Sequence, residues 1–445
     1  MENKTILFFV RSAKYLKAMQ SLVEELVLRG FYITAVYDPG EGDVSSLEIL
    51  ERFRRELSGF SYEVGLRRKG WLKRITRMLR GLASYRTFLV FEGRDSFYTK
   101  HWFKFLPIGA QRVLNAVPFL FRILALPITQ KIFNLCERVI QVDKGISDHI
   151  RRIKPAAIVV AYRGQPPGSA DTDYLKAAKK LSIMTIIPVA SWDALTTKGK
   201  MHILPDLLFV WNEKQKKNAM QYHRVQPETI KSVGAFQFDN WFNRQLPNAH
   251  ARTAVFYIAS GALSGDSFAV PEELRRAMDT DPILKDCPLI VRPPLYNARA
   301  FQTSEKNIIL MPYSYEGIRG NELIDLFLHA ISLSFVAVGV HTTGLIDAMM
   351  KGLPVIIYAP PAFRAAQDVP HFRELLENNA AERAENAQEF VRIAADIAKG
   401  NDRKRAARER FIQALRPRAP YKSAAAATAD HIERALQKRY HNRYA

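Results

Sequence analysis

Cysteine is scarce: Cys136 and Cys287 are the only two among 445 residues. They stand far apart, in no CxxC spacing and beside no clustered histidine, which argues against a disulfide framework and against a structural zinc site. A reducing cytoplasm is the expected compartment. Long apolar runs are also missing. Residues 6–10 are too few for the core of a signal peptide and read as a first strand. The most apolar window, 116–128, is interrupted by Pro118, Arg122 and Pro127, well short of the roughly 20 residues a spanning helix needs. Acidic charge is in deficit: 44 Asp and Glu against 65 Lys and Arg give a net charge of +21. No low-complexity tract occurs, and a hydrophobic share of 48% in a chain this long allows two or three globular domains.

The positive charge is concentrated. Arg67, Arg68, Lys69, Lys73, Arg74, Arg77, Arg80 and Arg86 stand within residues 66–86, where no acidic residue occurs. Trp71, Leu72, Ile75, Met78, Leu79 and Leu82 interleave at helical spacing, which predicts a basic amphipathic helix. Such a helix suits an anionic membrane surface. Arg67, Arg68, Lys69, Trp71, Lys73, Arg74, Arg77 and Arg80 are its expected lipid contacts, possession of an apolar face that packs on the core being the competing reading. No recognised nucleic-acid motif accompanies the charge, so nucleic acid is not an expected partner.

Strand and helix patterns alternate over most of the chain. Strands are predicted at 5–10, 31–37, 156–161, 183–189 and 206–211, with helices at 13–29, 171–181 and 213–222. A basic, aromatic and mostly helical stretch covers about 65–138. The polar, Asn-rich stretch 234–248 reads as a domain boundary. The second half repeats the theme, with strands at 254–259, 289–291, 307–310, 335–338 and 354–358. The expected architecture is α/β: domains at 1–240 and 250–385 facing across a cleft, then helices at 386–445 packing back on the core.

Within this pattern, residues 335–358 (FVAVGVHTTGLIDAMMKGLPVIIY) read as strand, tight turn, short helix, strand. The turn, His341-Thr342-Thr343-Gly344, brings backbone N–H groups and two hydroxyls to a helix start, where an anion can bind. Asp347 follows one helical turn on, placed to reach a hydroxyl beside that anion. Phosphate and ribose are the matching pair. A threonine cap without a ligand is the competing reading.

This segment resembles the donor-site pattern of GT-B glycosyltransferases, whose fold is two Rossmann-like domains: a small polar turn, an acidic residue, then Gly-x-Pro. The resemblance implies a diphosphate at Thr342, Thr343 and Gly344 and a ribose at Asp347, where the family more often has Glu. The segment is similar as well to the UDP-N-acetylglucosamine 2-epimerases and the CDP-glycerol glycerophosphotransferases. A second series, SWDALTTKG from Ser191 to Gly199, then PDLLFVWNE and VGAFQFD, resembles bacterial glycosyltransferases of capsule, O-antigen and exopolysaccharide synthesis. Ala194 and Phe236 depart from that pattern, which has Asn and Pro at these points.

Together with the cysteine content and the basic helix, the resemblance implies a cytoplasmic, membrane-peripheral, inverting glycosyltransferase that takes its sugar from a nucleotide donor. No DxD in strand context and no His/Asp/Glu cluster demands a metal, so neither a metal nor a further cofactor is expected. Its acceptor would be lipid-linked or a polysaccharide. Asp193, at a strand's carboxyl end, is the candidate base and Lys198 its cationic neighbour. Ser260, Gly261, Arg292, Glu316 and His341 complete the candidate donor site. A CDP-polyol phosphotransferase or a sugar-nucleotide 2-epimerase are the alternatives on the same fold.

Overall fold

The computed structural model describes residues 4–38, 44–162, 164–247, 251–260, 267–294, 305–315 and 322–444. The chain divides into two compact units, residues 1–239 with 415–445, and residues 240–414. The segment 386–445 therefore does not act as one piece. Its first helix, Ala387–Ala398, buries Phe390 and Ala394 in the core of the second unit, whereas Ala424–Tyr444 buries Ala425, Ala429 and Ile432 beside Leu22 and Leu26 of the first.

The first unit holds seven strands: β1 (Thr5–Val10), β2 (Tyr32–Tyr37), β3 (Phe60–Val64), β4 (Ala157–Val160), β5 (Met184–Pro188), β6 (Leu207–Val210) and β7 (Ile230–Ser232). They form one parallel sheet in the order β3-β2-β1-β4-β5-β6-β7. The second holds β8 (Ala254–Ile258), β9 (Leu289–Arg292), β10 (Ile308–Leu310), β11 (Ser334–Gly339), β12 (Val355–Tyr358) and β13 (Glu382–Ala384), parallel in the order β10-β9-β8-β11-β12-β13. Central strands such as AIVV and AVFYI are buried on both faces, because helices cover each side of a parallel sheet. Each sheet grows outward from a middle strand in one direction and then the other. The order reverses between β1 and β4 and again between β8 and β11, and a crevice for ligands opens at the carboxyl ends of the strands on either side of such a reversal.

The predicted helix at 13–29 is two helices, Ala13–Lys17 and Gln20–Leu28, ending at Gly30. The insertion after β3 is helical throughout, with Gly70–Glu92, Phe97–Lys104, Ile108–Ala116, Leu120–Ala125 and Pro127–Val139. Pro127 opens the last of these, where its missing N–H costs nothing. Among the described residues no helix is long and apolar enough to cross a membrane.

The basic helix corrects one expectation. Lys69, Trp71, Lys73, Arg74 and Arg77 are exposed, but Arg68 and Arg80 are buried and cannot touch lipid. Arg68 pairs with Asp173, and Arg80 lies between Glu137 and Asp173 at 2.9 Å from each. Arg67, half-buried, pairs with Asp38. A guanidinium this deep needs carboxylates, and the fold supplies them from the Asp171–Lys180 and Pro127–Val139 helices.

Candidate functional site

At the reversal of the second sheet, β8 runs out into Ala259 and Ser260, and β11 into Val340 and His341. The Ser260 hydroxyl, buried between them, accepts the His341 N–H at 2.8 Å and ties the two strand ends together. Thr342 turns back, its Oγ1 accepting the Gly344 N–H at 3.3 Å. Thr343 is exposed, with φ −64° and ψ −22°, and its hydroxyl does not cap the Gly344–Met350 helix. The turn packs so closely on β8 that glycine is required. A Cβ on Gly344 would stand 2.7 Å from Ile258 Cγ2, and one on Gly339 2.8 Å from the Ile258 carbonyl oxygen.

Arg292 closes β9, the strand on the other side of β8. Its guanidinium lies over the Phe327 ring, 4.6 Å from the centroid, and its carbonyl accepts the Ala259 N–H at 3.1 Å. Asp347, in the first turn of the short helix, feels two opposed influences. Burial pushes its carboxyl up to about 7, and the Arg292 charge pulls it back toward the ordinary range. An arginine, hydroxyls and a carboxyl poised near neutrality thus gather at the carboxyl ends of three adjacent strands. Gly261 and Glu316 lie outside the described residues.

Three supports of this turn escaped the sequence reading. Trp241 Nε1 donates to the Asp347 carbonyl at 3.1 Å, and the Lys351 ammonium bonds the carbonyls of Trp241 and Arg244. Gln367 is buried, and its side-chain amide donates at 2.8 Å to the carbonyls of both Val340 and Tyr358, joining the ends of β11 and β12. An isolated Trp and Gln in polar stretches give no periodic signal. Gln367→Leu would strand two buried carbonyls, so we expect a loss of about 1–3 kcal/mol in denaturant unfolding.

In the first unit the SWDALTTKG series forms a tight loop after β5. The Asp193 carboxylate accepts from the Ser191 hydroxyl and from Thr197 Oγ1 at 3.1 Å, with the Lys198 ammonium also at 3.1 Å. Asp193 and Lys198 therefore meet as an ion pair, partly open to solvent. The loop's backbone is held from several sides. Trp102 Nε1 donates to the Thr197 carbonyl at 2.8 Å, Tyr162 Oη to that of Gly199 at 3.0 Å, and the Lys200 N–H to Ser84 Oγ at 3.1 Å. Gly199 has φ +94°, and a Cβ there would stand 2.9 Å from the Trp102 ring. Burial pushes His223 down to about 4, so its ring is neutral; Nε2–H donates to the Leu195 carbonyl and Nδ1 accepts the Met201 N–H. Ser84 and Trp102 belong to the helical insertion, which thus buttresses the loop that carries Asp193.

At the reversal of the first sheet the sequence reading missed Arg11, directly after β1. It is buried, 3.9 Å from the Asp171 carboxylate and 3.2 Å from Tyr15 Oη. A lone charged residue closing an apolar run was its only signal. Among the described residues no three His, Cys, Asp or Glu side chains gather as a metal site would require.

No protein-family model matches the chain, and no curated protein matches it in sequence. Solved structures do match. A putative UDP-N-acetylglucosamine 2-epimerase from Listeria monocytogenes has a TM-score of 0.55 at 14% identity, covering 98% of this chain and 97% of its own. A glycosyltransferase from Rickettsia africae has a TM-score of 0.51 at 10% identity, with 98% and 100% covered. The UDP-GlcNAc 2-epimerase from Neisseria meningitidis, bound to UDP-GlcNAc, has a TM-score of 0.52 at 11% identity, with 98% and 99% covered. The fold is that of the GT-B enzymes. Both Rossmann-like units are included in these matches, since almost the whole chain is covered. The predicted α/β class and its two sheets agree with this fold.

Proposed function

We propose that the chain is a sugar-nucleotide enzyme, and specifically a glycosyltransferase acting on a lipid-linked or polysaccharide acceptor of the cell surface. The observation that carries the reading is the gathering of Ser260, Arg292, the 341–344 turn and Asp347 at the strand-order reversal of the second sheet. In this reading the N–H groups and hydroxyls of Thr342 and Thr343 and the Arg292 guanidinium hold a nucleoside diphosphate, and Asp347 accepts from a ribose hydroxyl. Asp193, oriented by Lys198, Ser191 and Thr197, takes the proton of the acceptor hydroxyl. The acceptor oxygen attacks the anomeric carbon from the face opposite the diphosphate. The bond to the diphosphate breaks, and the nucleoside diphosphate leaves with the electron pair, its charge met by Arg292 and the turn. Metal independence and inversion belong to this proposal, because those groups supply positive charge without an ion.

A second reading, a 2-epimerase acting on the sugar nucleotide itself, is favoured by the Listeria and Neisseria structures. A CDP-polyol phosphotransferase is a third use of the same donor groups.

Thermal shift against UDP, CDP, GDP, ADP and CMP tests the donor site. One nucleoside diphosphate at millimolar concentration should raise the unfolding midpoint by mass action. Asp347→Ala should abolish the shift, whereas Asp193→Asn should keep it and lose turnover. A shift with UDP, GDP or ADP supports sugar transfer, and one with CDP the polyol-phosphate reading. Absence of any shift rejects the donor site. Release of the diphosphate that requires an added acceptor distinguishes transfer from epimerisation.

A further inference from the structure

The Pro127–Val139 helix is inside out. It buries Gln130 and Glu137, the latter receiving Arg80 and Lys176, and exposes its aliphatic residues. Ile128 is 54% exposed, Ile132 51%, Leu135 59% and Val139 70%. These four recur at intervals of four, three and four residues, so they form a single stripe along one side of the helix. A helix facing water carries its polar residues outward, and a scattered exposed aliphatic is ordinary, but a continuous exposed stripe marks a binding surface. The preceding helices continue the pattern, with Ile108 and Val113 exposed in Ile108–Ala116, and Phe119 and Ile123 at Leu120–Ala125.

Charge identifies the occupant. Lys104, Arg112, Arg122, Lys131 and Arg138 are all exposed around these apolar residues. From Lys100 to Gln141 the chain contains a single carboxylate, Glu137, and it is buried. We propose that this face, built on the helices of 108–139, lies in the interface of a membrane rich in anionic lipid. Its aliphatic side chains would enter the acyl boundary and its cations would meet lipid phosphates. A second copy of the chain is a poorer occupant, because a symmetric pairing would bring the same cations face to face with no acid to answer them. In the 66–86 segment Arg68 and Arg80 are spent on internal ion pairs and add nothing to such a contact. This inference rests on the exposed face alone and is independent of the sugar-nucleotide reading.

The test is flotation of the full-length protein with vesicles of phosphatidylcholine, with and without phosphatidylglycerol. Two variants accompany it, Ile132→Ser/Leu135→Ser/Val139→Ser and Lys131→Glu/Arg138→Glu, each checked for an unchanged thermal midpoint. The wild type should float with the anionic vesicles and not with phosphatidylcholine alone. Each variant should lose about tenfold or more of that partition, since interfacial binding needs both apolar insertion and charge. Failure of the wild type to float, or equal flotation of the aliphatic triple variant, overturns the proposal. So does a dimer by light scattering that the triple variant converts to a monomer without any vesicle binding. Nucleotide-induced stabilisation should be the same in all three proteins, which keeps this test separate from that of the donor site.

Discussion

Asp347→Asn should make the protein more stable and less able to bind nucleotide at pH 8. The carboxyl of Asp347 has its midpoint pushed up to about 7 by burial, against an ordinary value of 3.8. A raised midpoint means that the folded state holds the proton more tightly than the unfolded chain. The stability that the protonated group contributes is complete below pH 4 and is lost as pH rises to about 7, beyond which the loss is constant. At 1.36 kcal/mol per unit the rise from 3.8 to about 7 corresponds to about 4 kcal/mol at most, which the neutral amide of the variant does not lose. Denaturant unfolding across pH 5 to 8 should therefore show the variant gaining on the wild type as pH rises, with the curves flat relative to each other above about pH 7.5. Under the proposed donor site, nucleotide affinity should move the other way. A ribose hydroxyl donating to Asp347 favours the carboxylate, so binding to the wild type releases a proton and tightens by up to about tenfold per unit as pH approaches 7 from below. That slope should vanish in Asp347→Asn, along with about tenfold or more of the affinity, as expected when a charged hydrogen-bond acceptor is removed. A wild type whose affinity is independent of pH between 5.5 and 7.5 would rule out Asp347 as the ribose acceptor. Function-bearing groups held at a cost in stability are common in binding sites.

The repeated strand and helix periods made both sheets visible in the sequence, because strands buried on both faces must be continuously apolar and the helices between them must show one apolar side. The strands that escaped were at sheet edges. β3 (FSYEV) is partly exposed, β7 is three residues long, and β13 reads ERA, so none carries an apolar run. The 341–344 turn was legible because strand end, small residues and helix start are adjacent in sequence. Arg292 could be named because it closes a strand. The supports of that turn, Trp241 and Gln367, come from 100 residues upstream and from a polar stretch downstream, and only the folded chain brings them to it. The 66–86 segment shows the limit of reading charge. Helical spacing revealed the helix, but a list of arginines does not say which of them find carboxylates. Asp173 and Glu137, which bury Arg68 and Arg80, lie in other helices. The inverted Pro127–Val139 helix was hidden for the same reason, since its period is that of any amphipathic helix and only the structure says which side faces out.

Arg80→Met should be among the most destabilising single changes in the first unit. The Arg80 guanidinium is buried and bonds both Glu137 oxygens at 2.9 Å and Asp173 at 2.9 Å. Burial alone would lower its affinity for the proton, yet the bonds to Glu137 and the charge of Asp173 outweigh it and hold Arg80 above its ordinary value. Burial likewise works to raise Glu137, and Arg80 overcomes it, leaving that carboxyl below the ordinary 4.5. Removal of the arginine leaves Glu137 with Lys176 and Asp173 with Arg68, each partner more distant, and losses of about 3–5 kcal/mol are typical when one member of a buried pair is deleted. Arg77→Ala, on the exposed side of the same helix, should change stability by no more than about 0.5 kcal/mol. The two variants remove the same charge from the same helix, so the contrast isolates burial. Acid dependence supplies a second readout. Because the folded value of Glu137 is depressed, its contribution is full above pH 4.5 and falls away as pH drops through the folded value, and Arg80→Met should flatten that loss. Arg80→Met/Glu137→Gln should recover part of the stability, because the remaining amide is neutral and needs no counter-charge. The effect should extend to the loop that carries Asp193. The Gly70–Glu92 helix carries Ser84, which holds the Lys200 N–H, and under the proposed function loosening it should lower turnover while any nucleotide-induced stabilisation persists. Equal destabilisation by Arg80→Met and Arg77→Ala would mean that the buried network does not hold the insertion to the Asp171–Lys180 helix.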